Sequence, residues 1–169
     1  MFFVIFPILA LLAAAIDLSR SSRRQQGWRV AAWVLLRYVL VLNVGLAGWT
    51  AFYAHAFMSE SIARSIGWQP SPFEFEVAIA NLAFGTLGIL CLWKEGSFWT
   101  AVVIGVTVWL WGDAIGHIRE IVVAHNYAPN NAGAALYSDL MLPAVLIALF
   151  AVSRPAAKQC SQASAGHDG

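Results

Sequence analysis

The stretch Phe98 to Val123, "FWTAVVIGVTVWLWGDAIGHIREIVV", decides the fold class of this chain. A helix needs about 20 mostly apolar residues to cross a hydrocarbon core about 30 Å thick, and this stretch is long enough. Near its end it nevertheless carries Asp113, His117, Arg119 and Glu120. Ionisable side chains in a membrane span are costly and usually face a partner or a water-filled cavity. The stretch therefore predicts a transmembrane helix with a polar site close to one end.

The composition agrees with a membrane protein. The 169 residues are 60% hydrophobic and 11% charged, whereas soluble domains are roughly 45–50% apolar and about 25% charged. The net charge of +1 gives no reason to expect a nucleic-acid partner. We therefore predict a multi-pass protein whose main surroundings are the lipid bilayer.

Four other apolar segments accompany this helix. With it, they predict an all-α bundle of four to five transmembrane helices within residues 1–153, with spans at about residues 2–16, 30–58, 73–93, 98–123 and 140–152. The first and last are short for a full span. A cleaved signal peptide is the alternative for the first, but it lacks the basic residues that open such a peptide. Residues 154–169 are predicted to form a disordered cytoplasmic tail because they are small and polar.

The basic residues predict the orientation. Lys and Arg concentrate in short cytoplasmic loops, and the connection "DLSRSSRRQQGWR" after the first segment carries four Arg. With this connection inside, eight of the ten basic residues are cytoplasmic and the N-terminus is outside. Cys91 and Cys160 then face the reducing side, where a disulfide is not expected.

In this orientation, the acids and histidines of the spans collect near the outer face. Asp113, His117 and Glu120 are spaced i, i+4 and i+7, so they share one face of their helix. The whole group at the outer end comprises His55, Glu74, Glu76, Asp113, His117, Glu120 and Asp139. This sorting predicts a polar pocket at the extracytoplasmic end, with Asp113, His117, His55, Glu76, Glu120 and Asp139 as its candidate residues.

Ordinary structural roles compete with that interpretation. Ser71 to Glu74, "SPFE", matches a helix start in which Ser71 caps and Glu74 reaches back as a capping box. Asp139 opens the fifth apolar segment and is a candidate N-cap. Glu120 is a candidate solvated helix end. The connection from His125 to Leu140 is rich in turn residues, so it is either a lid over the polar group or a plain connector.

Three kinds of chemistry remain open. The first is a zinc or non-haem iron site with His55, Glu76, Asp113 and His117 as ligands, or haem bound by the two histidines. The second is binding of, or acid–base chemistry on, a small apolar or lipid-like molecule that enters from the outer leaflet. The third is a non-catalytic accessory subunit that uses the cluster to fasten its own outer end and to meet a membrane-protein partner or a second copy. The sequence does not decide whether the protein is an enzyme.

Several strings together resemble a known family. "GWQPSPFEFEVAIANLAFGTLGIL", "FWTAVVIGVTVWLWGDAIGHIRE", "NYAPNNAG" and "LYSDLMLP" are similar to a bacterial family of small integral-membrane proteins classed as a domain of unknown function. Three strings carry the resemblance: Ser71-Pro72-Phe73 with Glu76, Gly112 to His117, and Asn126 to Gly133. It implies the membrane topology and a location in the bacterial inner membrane, and it implies no activity. A looser likeness, at fold level only, is to DoxX-like and emopamil-binding-type membrane bundles.

Overall fold

The protein is a bundle of apolar helices. The computed structural model describes residues 2–21 and 27–165, and side chains for residues 4–21 and 27–153. The helices are α1 (Phe2–Arg20), α2 (Trp28–Val39), a π-helical segment (Leu40–Leu46), α3 (Ala47–Phe57), α4 (Ser59–Ile66), α5 (Phe73–Leu90), α6 (Ser97–Ala124) and α7 (Ala134–Ala165). No strand occurs in this described part. The predicted all-α class is confirmed.

Four helices in the described residues are long and apolar enough to cross a membrane. They are Trp28–Phe57, Phe73–Leu90, Ser97–Ala124 and Ala134–Ser153. α1 contains 19 residues, which at about 1.5 Å per residue gives roughly 29 Å. The structure thus agrees with a multi-pass membrane protein of four to five helices.

The ends of the helices differ from the sequence prediction. α7 begins at Ala134, so Asp139 lies in its second turn, and the prediction that Asp139 opens this helix is wrong. The reason is local: Ala134, Ala135 and Leu136 favour helix strongly, and the amide of Tyr137 already donates to the Gly133 carbonyl at 3.1 Å. α7 continues as helix to Ala165, where the sequence predicted a disordered tail. The division of the chain at residue 153 stays a prediction.

Some residues used in the sequence analysis cannot be placed. Arg23 and Arg24 of the basic connection, and the side chains of residues 154–169, lie outside the described residues. The predicted orientation therefore stays a prediction.

The second span is one long helix with an irregular middle. α2, the π-helical segment and α3 follow one another without a break from Trp28 to Phe57. This helix approaches α5 closely through glycines: a Cβ atom on Gly48 would lie 2.8 Å from the Cα of Gly85. A Cβ atom on Gly88 would collide with the backbone nitrogen of Gly45. Small residues at such an interface let two membrane helices pack backbone to backbone.

The apolar core is concentrated toward one end of the bundle. It contains Ala10, Leu36, Val39, Leu40, Val44, Cys91, Trp99, Val102, Val103, Val106 and Leu146. Trp33 of α2 stacks on Trp99 of α6 with ring centroids 5.4 Å apart. α3 has no buried residue. At the opposite end α3 and α6 finish and α5 and α7 begin, and we call it the polar end.

Candidate functional site

The two chain connections at the polar end are hydrogen-bonded to each other. α4 closes with Gly67 in the left-handed conformation, and α6 closes with His125 in the same conformation at φ 51°. The Asn126 side-chain amide then donates to the Ile66 carbonyl at 2.9 Å. The Asn130 side chain donates to the Ser65 hydroxyl at 3.0 Å. Residues 125–133 are therefore fixed against α4.

Asn131 carries this connection into the bundle. Asn131 is fully buried and His117 is 7% exposed. The Asn131 amide nitrogen donates to the Asn126 carbonyl at 2.8 Å and to the His117 carbonyl at 3.3 Å. Its oxygen lies 2.8 Å from His117 Nδ1. Since the amide nitrogen is occupied by two carbonyls, this oxygen accepts a hydrogen bond and Nδ1 of His117 carries a hydrogen.

The other ring nitrogen of His117 faces a carboxyl group. Its Nε2 is 3.7 Å from Oδ2 of Asp139, which is longer than a hydrogen bond. Because Nδ1 donates to Asn131, Nε2 is the ring nitrogen left to face this carboxyl group.

Trp68 covers the imidazole from the side of α4. Its ring centroid lies 5.9 Å from that of His117 with the planes 28° apart. The indole and imidazole rings therefore pack face to face.

Asp113 lies one helical turn before His117 on the same face of α6. It is half-buried and close enough to Asp139 for the two acidic groups to interact electrostatically. Within the described part of the chain, no hydrogen bond or ion pair is formed by the Asp113 side chain. We refer to Asp113, His117 and Asp139 as the acid cluster.

A second polar pair joins α3 to α5. Nδ1 of His55 lies 2.7 Å from Oε2 of Glu74, and Glu74 is 8% exposed. The predicted capping box is wrong: the Ser71 hydroxyl accepts from the Phe73 amide at 3.1 Å, and the side chain of Glu74 turns to His55 instead. A carboxylate near the bundle interior needs a partner more than a solvated helix end does.

The comparisons with known proteins identify a family. A family model matches residues 1–159, nearly the full length of the chain. The chain belongs to DUF6790, a family of unknown function. The predicted resemblance is thereby confirmed, while the looser likenesses to DoxX-like and emopamil-binding-type bundles stay predictions. No curated protein and no solved structure was found to match the chain.

In this member of DUF6790 the predicted site residues separate into groups. Asp113, His117 and Asp139 come together, whereas His55 pairs with Glu74. Glu76 is exposed and Glu120 is half-buried near the end of α6.

The predicted metal site finds no support in this arrangement. No group of three or more His, Cys, Asp or Glu side chains that could hold a metal ion is found among the described residues. The proposed ligands His55, Glu76, Asp113 and His117 are thus not assembled into a zinc or iron site. Haem bound by the two histidines stays a prediction: Nδ1 of each is paired, which leaves Nε2 as the nitrogen that a haem iron would take.

Three residues of the site were not predicted as such. The sequence offers Asn131 only as one residue of a turn-rich connection and Glu74 as a cap, and it gives no role to Trp68. Each has a polar or aromatic side chain that the fold brings next to a histidine. The only available signal was that two histidines near the end of membrane helices need hydrogen-bond partners.

Proposed function

We propose that this membrane protein binds a small ligand at the acid cluster, and that the ligand carries an ammonium group or other hydrogen-bond donors. One observation carries the proposal: Asp113 is half-buried, interacts electrostatically with the carboxyl group of Asp139, and has no hydrogen-bond or ion-pair partner within the described residues. His117 and Asp139 by contrast face each other.

The chemistry of the cluster supports a cationic or hydrogen-bond-donating ligand. A carboxylate surrounded by apolar helices is costly unless a positive charge or several donors compensate it. Arg119, six residues along the same helix, is exposed and forms no ion pair with Asp113. An ammonium group on an apolar chain would meet Asp113 with its charge and the surrounding helices with its hydrocarbon.

A direct binding experiment tests this proposal. The protein is placed in lipid nanodiscs, and its thermal unfolding is measured with octylammonium and with octanol, which has the same chain but no charge. A ligand present at 100 times its Kd stabilises a protein by about 2.7 kcal/mol. For a chain of this size that raises the midpoint by roughly 5–11 °C. We expect the rise with octylammonium only.

Matched variants locate the effect. Asp113→Asn keeps the shape of the side chain and removes its charge, so it should abolish the rise. Glu60→Gln makes the same charge change on the exposed surface of α4 and should leave the rise intact. An equal response to both alcohol and amine, or a full response in Asp113→Asn, contradicts the proposal.

The orientation of the site is a second part of the proposal. We infer from the basic residues that the polar end faces the extracytoplasmic side and that the N-terminus is outside. The test uses an impermeant maleimide on intact cells, with Tyr127→Cys at the polar end and Lys94→Cys at the other. Cys160 is replaced by Ser, and Cys91 is fully buried. Labelling of Lys94→Cys without labelling of Tyr127→Cys would contradict the inferred orientation.

A second candidate function is that of a non-catalytic accessory subunit. The hydrogen bonds between α4 and residues 125–133 favour it, because they serve to hold the polar end together. In that case neither amine nor alcohol raises the unfolding midpoint, and native mass spectrometry of gently solubilised membranes finds a stoichiometric membrane-protein partner or a second copy. Acid–base chemistry on an apolar substrate stays a third, untested prediction.

A further inference from the structure

One threonine in the middle of the bundle differs from the others. Thr50, Thr86 and Thr100 each donate a hydrogen bond to a carbonyl of the preceding turn, at 2.7, 2.8 and 3.3 Å. This is how a hydroxyl in a membrane helix is usually satisfied. Thr107 of α6 is the exception: its hydroxyl oxygen is buried and has no protein partner in the described part of the chain.

Asn43 is a second exception of the same kind. Asn81 of α5 donates to the Val77 carbonyl of its own helix at 2.9 Å. In contrast, the side-chain oxygen of Asn43 is buried without a protein partner among the described residues. Asn43 lies in the π-helical segment Leu40–Leu46. Short π-helical segments within α-helices occur frequently at functional sites.

The unpaired oxygen atoms of Asn43 and Thr107 lie at nearly the same depth in the bundle. α2 and α6 run in the same direction, and the stacked pair Trp33 and Trp99 sets their register. Asn43 follows Trp33 by ten residues and Thr107 follows Trp99 by eight, so they differ by about 3 Å along the bundle axis. Their chain neighbours Val44 and Val106 both belong to the buried core.

These atoms call for a ligand that both donates and accepts hydrogen bonds. The Asn43 oxygen needs a donor, and the Thr107 hydroxyl can donate and accept. They do not bond each other. Leaving such groups unpaired in an apolar interior is costly, and buried water typically makes about three hydrogen bonds to groups of this kind. We propose that the bundle binds water at Asn43 of the π-helical segment and at Thr107 of α6, and that their similar depth lets one hydration site serve both.

This hydration site is separate from the proposed ligand site and does not depend on it. Asp113 follows Thr107 by six residues, about 9 Å along α6. Bound water at Thr107 therefore extends the polar region of the bundle from the acid cluster toward the apolar core.

Water-edited solid-state NMR of the labelled protein in bilayers tests the proposal. The probe is water itself, and the readout is the rate at which its magnetisation reaches each side chain. We expect transfer to the Asn43 amide and to Thr107 to be at least threefold faster than transfer to their controls, Asn81 and Thr86. Rates no faster than those of the controls would overturn the proposal.

A variant tests whether the two residues share one site. Asn43→Leu removes the unpaired side-chain oxygen while keeping a side chain of similar size. If water bridges the two residues, transfer to Thr107 falls to the level of Thr86. Unchanged fast transfer to Thr107 in this variant would overturn the shared site. Because the wild-type rates are decisive by themselves, the test does not depend on whether the variant folds.

Discussion

Replacing Asn131 with alanine is expected to weaken the polar end strongly. The side chain is fully buried and contacts His117 Nδ1, the His117 carbonyl and the Asn126 carbonyl at 2.8, 3.3 and 2.8 Å. A typical hydrogen bond contributes about 1 kcal/mol net, and a buried group left unpaired costs about 1–3 kcal/mol. We expect Asn131→Ala to lower the free energy of unfolding by about 3 kcal/mol, which lowers the midpoint by roughly 6–12 °C.

Asn130→Ala is the matched control. It removes one side-chain hydrogen bond, to Ser65 at 3.0 Å, and leaves the Asn130 backbone bond to the Ser65 carbonyl at 3.2 Å intact. Its expected cost is about 1 kcal/mol, or roughly 2–4 °C. Both variants are unfolded by heat in the same detergent and followed by far-ultraviolet circular dichroism. A loss in Asn131→Ala no larger than that in Asn130→Ala would refute the reasoning that burial makes the Asn131 contacts the stronger ones.

Two further predictions use neighbouring residues as controls, with the same unfolding measurement. Glu74→Ala leaves His55 half-buried without its partner and should lower the free energy of unfolding by about 2 kcal/mol. Glu76→Ala, on the exposed face of α5, should change it by no more than about 0.5 kcal/mol. Equal losses of stability in the two variants would contradict the pairing of His55 with Glu74. Gly88→Ala places a Cβ atom against the neighbouring helix backbone and should cost about 1–3 kcal/mol. Gly112→Ala meets nothing within 4 Å and should stabilise α6 by about 0.5–1 kcal/mol, so a gain in both variants would argue against close helix packing.

The fold class was predictable because the bilayer imposes a length on every span. A run such as residues 98–123 has few alternatives to a membrane helix, and the structure gives Ser97–Ala124. The start of α7 was predicted six residues too late, since the first polar residues of that helix, Ser138 and Asp139, look like a cap. Apolar runs locate the part of a helix that lies in lipid, whereas the helix itself continues as far as its backbone hydrogen bonds do.

The composition of the acid cluster was predictable, but its partners were not. Topology alone sorts Asp113, His117 and Asp139 to one end. Asn131 binds His117 from a connection without regular periodicity, 14 residues away, so no pattern indicates where its side chain points. The choice of His55 between Glu74 and Glu76 also depends on the rotation of α5 about its axis, which the spacing of its first residues does not give.

The hydrogen bond from His117 to Asn131 separates the roles of the two acids in the cluster. Since Nδ1 of His117 donates to Asn131, its Nε2 is the ring nitrogen left to face Asp139, at 3.7 Å. Asp139 therefore already faces a polar group of the protein, whereas the Asp113 side chain has no hydrogen-bond or ion-pair partner among the described residues. A cationic group bound at the cluster would find in Asp113 the carboxyl group that is not already engaged. For this reason Asp113→Asn removes the attraction for a cation and leaves the contact between His117 and Asp139 in place, whereas a change at Asp139 would disturb both at once.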